Sequence, residues 1–104
     1  MMVIYNMINL HRVIGFEWDD GNARKSVEKH TVGQAEAEQI FLNEPLLILS
    51  DQRHSKSETR LHALGRTDEG RLLHITFTFR QSDTYIRIIS ARDMSRKERS
   101  HYEH

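Results

Sequence analysis

The chain has 104 residues, no cysteine, and 15 basic against 15 acidic side chains. That length supports one domain with a core of its own, and the missing cysteines exclude a disulfide framework and thiolate metal sites. Zero net charge argues against a general nucleic-acid coat, and no apolar run reaches the ~20 residues of a membrane-spanning helix.

Residues 1–15 have no clear period and read as an N-terminal extension or strand, ended by Gly15. They carry no charged leader and no small-residue cleavage site, so the protein reads as cytoplasmic, with no membrane partner. Residues 16–104 read as a single domain. Phe16-Glu17-Trp18 is a short strand that brings the one tryptophan to the core. Asp19 or Asp20 then caps a helix that ends near His30, with Ala23 and Val27 on one face. A second helix spans about Gln34 to Leu42, with Ala37, Ile40 and Phe41 at helical spacing, and Pro45 marks its stop.

Leu46–Leu49 is a buried strand, followed by a polar loop from Ser50 to Ser57. Three alternating strands follow, at about Glu58–Gly65, Arg71–Arg80 and Tyr85–Ala91, joined by turns at Thr67–Gly70 and Gln81–Asp83. Ser95-Arg96-Lys97-Glu98 is a capping-box pattern that opens a last helix over Arg96–Tyr102. The fold class is α+β: N-terminal helices on one face of an antiparallel sheet of about four strands, with a C-terminal helix.

Register follows from keeping apolar residues on one side. Pairing Arg60 with Thr76, His62 with His74, Phe77 with Ile88 and Arg80 with Tyr85 does so. It predicts an open polar face bearing Arg60, His62, His74, Thr76, Thr78, Arg80, Tyr85 and Arg87. Residues 51–104 also hold eleven basic and eight acidic side chains, and eleven of the fifteen cations in the chain are arginine. Arginine suits bidentate contact with phosphate, although a solvated ion pair is the ordinary explanation for any single one.

Such a face suits RNA: guanidinium groups for phosphates, and Tyr85 or a guanidinium plane for unstacked bases. RNA cleavage needs a base for the 2′-OH, cations for the phosphorane and an acid for the leaving oxygen, which requires no metal or other cofactor. His62 is a candidate for proton transfer, because a neighbouring His74 would lower both pKa values and keep the pair neutral. Two surface histidines are the bland alternative. Lys56 in the polar loop is a candidate phosphate contact. His101 and His104 stand three apart but show no third ligand, so no metal site is expected.

Taken in order, a set of short motifs resembles the BrnT toxins of bacterial toxin–antitoxin pairs. They are Phe16-Glu17-Trp18-Asp19, Lys29-His30, Asp51 with His54-Ser55, Glu58-x-Arg60, Gly70-Arg71-Leu72, Phe77-Thr78-x-Arg80, Arg87 through Arg92, and Glu98-Arg99-x-x-Tyr102-Glu103. Thr31 departs from the pattern, where the family often has glycine. The resemblance implies a RelE-like fold and an endoribonuclease that cleaves by 2′-OH attack on phosphate. It also implies a cognate antitoxin, BrnA-like and DNA-binding, through which the toxin reaches promoter DNA.

By position, Arg60 and Arg80 would stabilise phosphate charge. Glu58, Lys29 and His30 would serve proton transfer or hold substrate, and Arg92 and Tyr102 would contact the substrate or brace the site. Strict alternation instead puts Arg92 on the Ile86/Ile88 side, free to bind the C-terminal helix. The alternative function is a non-catalytic RNA- or protein-binding module on the same fold.

Overall fold

The alternating half of the sequence builds one sheet. The computed structural model describes residues 2–3, 10–51 and 59–103. Its strands are β1 (Met2–Val3), β2 (Gly15–Glu17), β3 (Leu47–Asp51), β4 (Arg60–Arg66), β5 (Leu72–Arg80) and β6 (Tyr85–Asp93). Among the described residues the sheet therefore has six strands rather than about four, in the order β1-β3-β4-β5-β6-β2. The antiparallel run β3–β6 is the expected part. The additions are two short edges: β1 antiparallel to β3, and β2 parallel to β6.

The helices are α1 (Asp20–His30), α2 (Gln34–Gln39, continued by a 3-10 turn through Leu42) and α3 (Arg96–Tyr102). Asp19 caps α1 by accepting the Asn22 N–H at 2.7 Å. The capping box predicted for α3 is formed by Ser95 and Glu98. One detail of α1 differs from expectation. Its buried residue is Ser26, while Val27 is 51% exposed. A helix so polar is oriented by the strand it packs against, and α1 turns its small Ser26 inward.

The main core lies between the sheet and α1–α2. Val32, Ala37 and Ile40 pack on Leu61, Leu73, Ile75, Phe77, Ile86 and Ile88, all essentially water-free. Phe77 is central, in edge-on contact with Phe41 and Phe79 at ring-centre distances of 5.2 and 5.7 Å. Burying a ring of this size contributes roughly 1.5–3 kcal/mol. Gly65 is needed for the close approach of this layer, since a Cβ there would sit 2.9 Å from the Ile40 Cβ. Trp18 packs at the core margin, and its indole N–H donates to Glu38 at 2.8 Å.

A second, smaller core occupies the opposite face. Leu64, Met94 and Tyr102 are buried there, with Leu47, Leu49 and Leu72 against them. α3 thus covers one end of the face that alternation marked as polar and open. Leu64 and Leu72 are the sequence signal for this, being apolar residues at polar-face positions.

The register is as expected in one hairpin and shifted in the other. Phe77 faces Ile88, Thr78 faces Arg87 and Arg80 faces Tyr85. In the β4–β5 pair, His62 faces Thr76 and Leu61 faces Phe77, two residues from the expected pairing. A slip of two preserves which face every side chain occupies, so apolar patterning cannot detect it.

The β5–β6 ladder also has an irregularity. Phe77 pairs with Ile88, but Thr76 pairs with Ser90, which leaves Ile89 as the extra residue of a β-bulge. Beyond it the alternation of β6 inverts. Arg92 faces His74 on the polar side, and Ala91 faces Ile75 in the core. This removes the conflict over Arg92, which strict alternation had sent to the Ile86/Ile88 side.

Candidate active site

Three arginines and a tyrosine gather at one end of the polar face. Arg80 pairs across the ladder with Tyr85, and Arg87 pairs with Thr78. Arg60 faces Asp51 on β3, and the preceding Thr59 carbonyl accepts the Thr78 hydroxyl at 2.6 Å. Strand spacing then puts the Arg60 and Arg80 backbones about 8 Å apart on one face. Arg60, Arg80, Tyr85 and Arg87 are all half-buried.

Gly15 on β2 lies beneath Tyr85. A Cβ at that position would come within 2.8 Å of the ring, so glycine there lets the phenol lie flat on the sheet edge. Arg87 is oriented by Asp19 at 3.2 Å. The Asp19 carboxyl is held below its usual range, first by the Asn22 N–H and then by Arg87. Preorganised guanidinium groups of this kind can hold a phosphate and meet charge that develops on it.

The centre of the same face is buried rather than open. His62, His74 and Thr76 are only 8–9% exposed, and Thr78 is 2% exposed. Asp51 accepts from His62 Nε2 at 2.8 Å. His62 Nδ1 lies 2.9 Å from His74 Nε2 and 3.0 Å from the Thr76 hydroxyl. Both ring nitrogens of His62 are therefore engaged inside the protein.

His74 continues the chain toward α3, with its Nδ1 3.4 Å from Glu98. Glu98 in turn takes two parallel bonds from Arg92, at 2.8 and 2.9 Å. The pKa of His74 is pushed down to about 4. Burial is the main cause, the Arg92 charge adds to it, Glu98 opposes, and His62 contributes least. For His74, burial outweighs the effect of the neighbouring imidazole. For Glu98 burial acts upward, yet the Arg92 and Ser95 hydrogen bonds with the nearby cations bring it down to about 2.

The other candidates lie elsewhere. Lys29 and His30 are exposed at the end of α1, where the His30 carbonyl accepts from Arg71 at 2.9 Å. Arg71 stands nine residues before Arg80, about 30 Å along a strand, so Lys29 and His30 sit at the opposite end of the sheet from the arginine group. The Tyr102 hydroxyl donates to the Pro45 carbonyl at 2.6 Å and its ring is buried in the second core. Arg92 is bound to α3 through Glu98. Lys56 and Glu58 lie outside the described residues. Among the described residues no group of three or more His, Asp or Glu side chains is placed to hold a metal ion.

Sequence reasoning assigned Arg71 no role, although it stands in the Gly70-Arg71-Leu72 motif. It binds Asp93 through two bonds, Glu36 at 2.9 Å and the Thr31 carbonyl at 3.0 Å. Its pKa is raised, mainly by the bond to Asp93. The contact with the α1 terminus holds Thr31 in the left-handed region, at φ 55°. That conformation is uncommon for a β-branched residue and is one that glycine adopts without strain.

A sheet with α1 and α2 on one face, and α3 and the group of arginines on the other, defines the class: a small α+β domain. The particular family follows from comparison. Residues 18–98 match the family model described as "Ribonuclease toxin, BrnT, of type II toxin-antitoxin system", and the chain belongs to that family. Its fold is similar to the crystal structure of the Brucella abortus ribonuclease toxin BrnT, with a TM-score of 0.59 at 20% identity, covering 81% of this chain and 100% of that one. No curated protein matches in sequence. Family membership makes the protein a ribonuclease toxin, with RNA as target and a cognate antitoxin as partner.

Proposed function

We propose that the protein is a metal-independent endoribonuclease of RelE-like fold, acting at the arginine end of its sheet and neutralised by a cognate antitoxin. The observation that carries this is the grouping of Arg60, Arg80 and Arg87 around Tyr85 on one face. A base takes the proton of a 2′-OH, the oxygen attacks the adjacent phosphorus, and the bond to the 5′-oxygen breaks. The products are a 2′,3′-cyclic phosphate and a 5′-hydroxyl, whose oxygen takes a proton from a general acid or water as it leaves. Arg60 and Arg80 meet the negative charge on the equatorial oxygens, and Tyr85 offers a stacking surface to a flanking base. Glu58 is the carboxylate that the motif offers as base, since His62 is engaged within the sheet.

The toxin domain in this reading is residues 16–104, and it works in the cytoplasm. The antitoxin is BrnA-like and DNA-binding, so promoter DNA is reached only through the complex. Arg60→Ala and Arg80→Ala should each lower the cleavage rate on the order of 10²–10³-fold. Their unfolding midpoints should stay close to that of the parent, because half-exposed polar positions carry little stability. Cleavage should persist in EDTA and stop when the antitoxin is added. Intact RNA with the unsubstituted protein, or full activity in both variants, would overturn the proposal.

The engagement of both His62 nitrogens favours one other reading: a module that binds RNA or protein without cutting. Salt-dependent RNA association with no product would support it.

A further inference from the structure

The outer face of α3 is basic. Arg96, Lys97, Arg99 and His101 are exposed on it, and Arg96, Lys97, Ser100 and His101 line a shallow depression. The acid within this run, Glu98, is turned inward and engaged by Arg92 and the capping box. With that carboxylate engaged, Arg96, Lys97 and Arg99 outnumber the exposed acids beside them, Asp93 and Glu103, on a protein whose net charge is zero.

This face is joined to the arginine end of the sheet by one row of side chains. Tyr85, Arg87, Ser90 and Arg92 all stand on the polar side of β6, and each is half-buried or exposed. The bulge at Ile89 makes the row continuous, because strict alternation would have turned Arg92 into the core. The row is about 23 Å long, which is the reach of several nucleotides. It offers an aromatic ring, guanidinium groups and a hydroxyl, the mixture on which a single strand runs without sequence preference.

We propose that single-stranded RNA extends from the arginine end along β6 to the outer face of α3, where Arg96, Lys97 and Arg99 bind backbone phosphates remote from the scissile one. This rests on the ribonuclease reading. An acidic segment of the antitoxin is the competing occupant. Continuity with the row on β6 favours RNA, since an isolated basic patch would serve a protein equally well.

The test is the triple variant Arg96→Gln, Lys97→Gln, Arg99→Gln, compared with the parent protein. The probe is a 2′-O-methyl RNA, which cannot be cut, long enough to span both elements. The variant should bind it on the order of tenfold more weakly at low salt. The slope of log affinity against log salt should fall by about 0.7 for each phosphate that the variant no longer neutralises. Cleavage of a trinucleotide, too short to reach α3, should be unchanged. Unaltered affinity and slope for the long probe would overturn the proposal, as would weakened antitoxin binding with RNA binding intact. If the parent protein neither binds nor cuts RNA, the ribonuclease reading itself has failed.

Discussion

Acidification should weaken the protein through one buried imidazole. His74 has an ordinary pKa of 6.5 and a folded one of about 4. Between those values the unfolded chain binds a proton that the native state refuses, so stability falls as pH falls. At pH 5 the unfolded imidazole is almost fully protonated and the native one about a tenth, a loss of about 2 kcal/mol relative to neutral pH. Glu98 acts in a lower window. It holds its charge down to about 2 against an ordinary 4.5, so its contribution is present above 4.5 and lost as pH falls toward 2. Urea unfolding at a series of pH values separates the two. With a slope of about 1–3 kcal/mol/M, the His74 loss moves the midpoint by roughly 1 M between neutral pH and pH 5. His74→Gln keeps a donor toward His62 and cannot titrate, so its midpoint should change much less over that interval. A variant that tracks the parent through the same window would refute burial of His74 as the cause.

Two further substitutions test the far end of the sheet. Thr31→Gly should stabilise the protein by about 0.5–1 kcal/mol, strain relief at φ 55° exceeding the added freedom of the unfolded chain, and a rise of a few degrees in melting temperature would report it. Arg71→Ala removes charged bonds to Asp93 and Glu36 and strips a donor from the α1 terminus. It should cost roughly 2–4 kcal/mol in thermal unfolding while leaving the turnover of the folded protein unchanged.

The elements that could be read from sequence are those fixed by local chemistry. Ser95 and Glu98 specify the start of α3 by bonding each other's backbone, so the predicted span, Arg96–Tyr102, is the observed one. The β5–β6 hairpin is short enough for Phe77 and Ile88 to fix its register. The β4–β5 register is set by tertiary packing, and a two-residue slip leaves the alternation unchanged. Burial of the polar face was partly visible in Leu64 and Leu72, which break the pattern where α3 docks. The role of His62 depended on what lay beside it, and only the fold brings Asp51 to one nitrogen and His74 to the other. Within the site, Arg80, Tyr85 and Arg87 followed from alternation, whereas the place of Arg92 required the bulge.

That bulge makes the response of β6 to changes in length one-sided. Ile89 is half-buried and stands opposite no residue of β5, so many side chains can replace it. Deleting it would close the ladder with Ser90 still opposite Thr76, Ala91 opposite Ile75 and Arg92 opposite His74, each on the face it already occupies. An inserted residue, with no second bulge to absorb it, would instead turn Ala91 outward and Arg92 toward Leu73, leaving the Glu98 carboxylate without its cation beneath α3. At this point β6 can therefore lose one residue and keep its faces, but it cannot gain one.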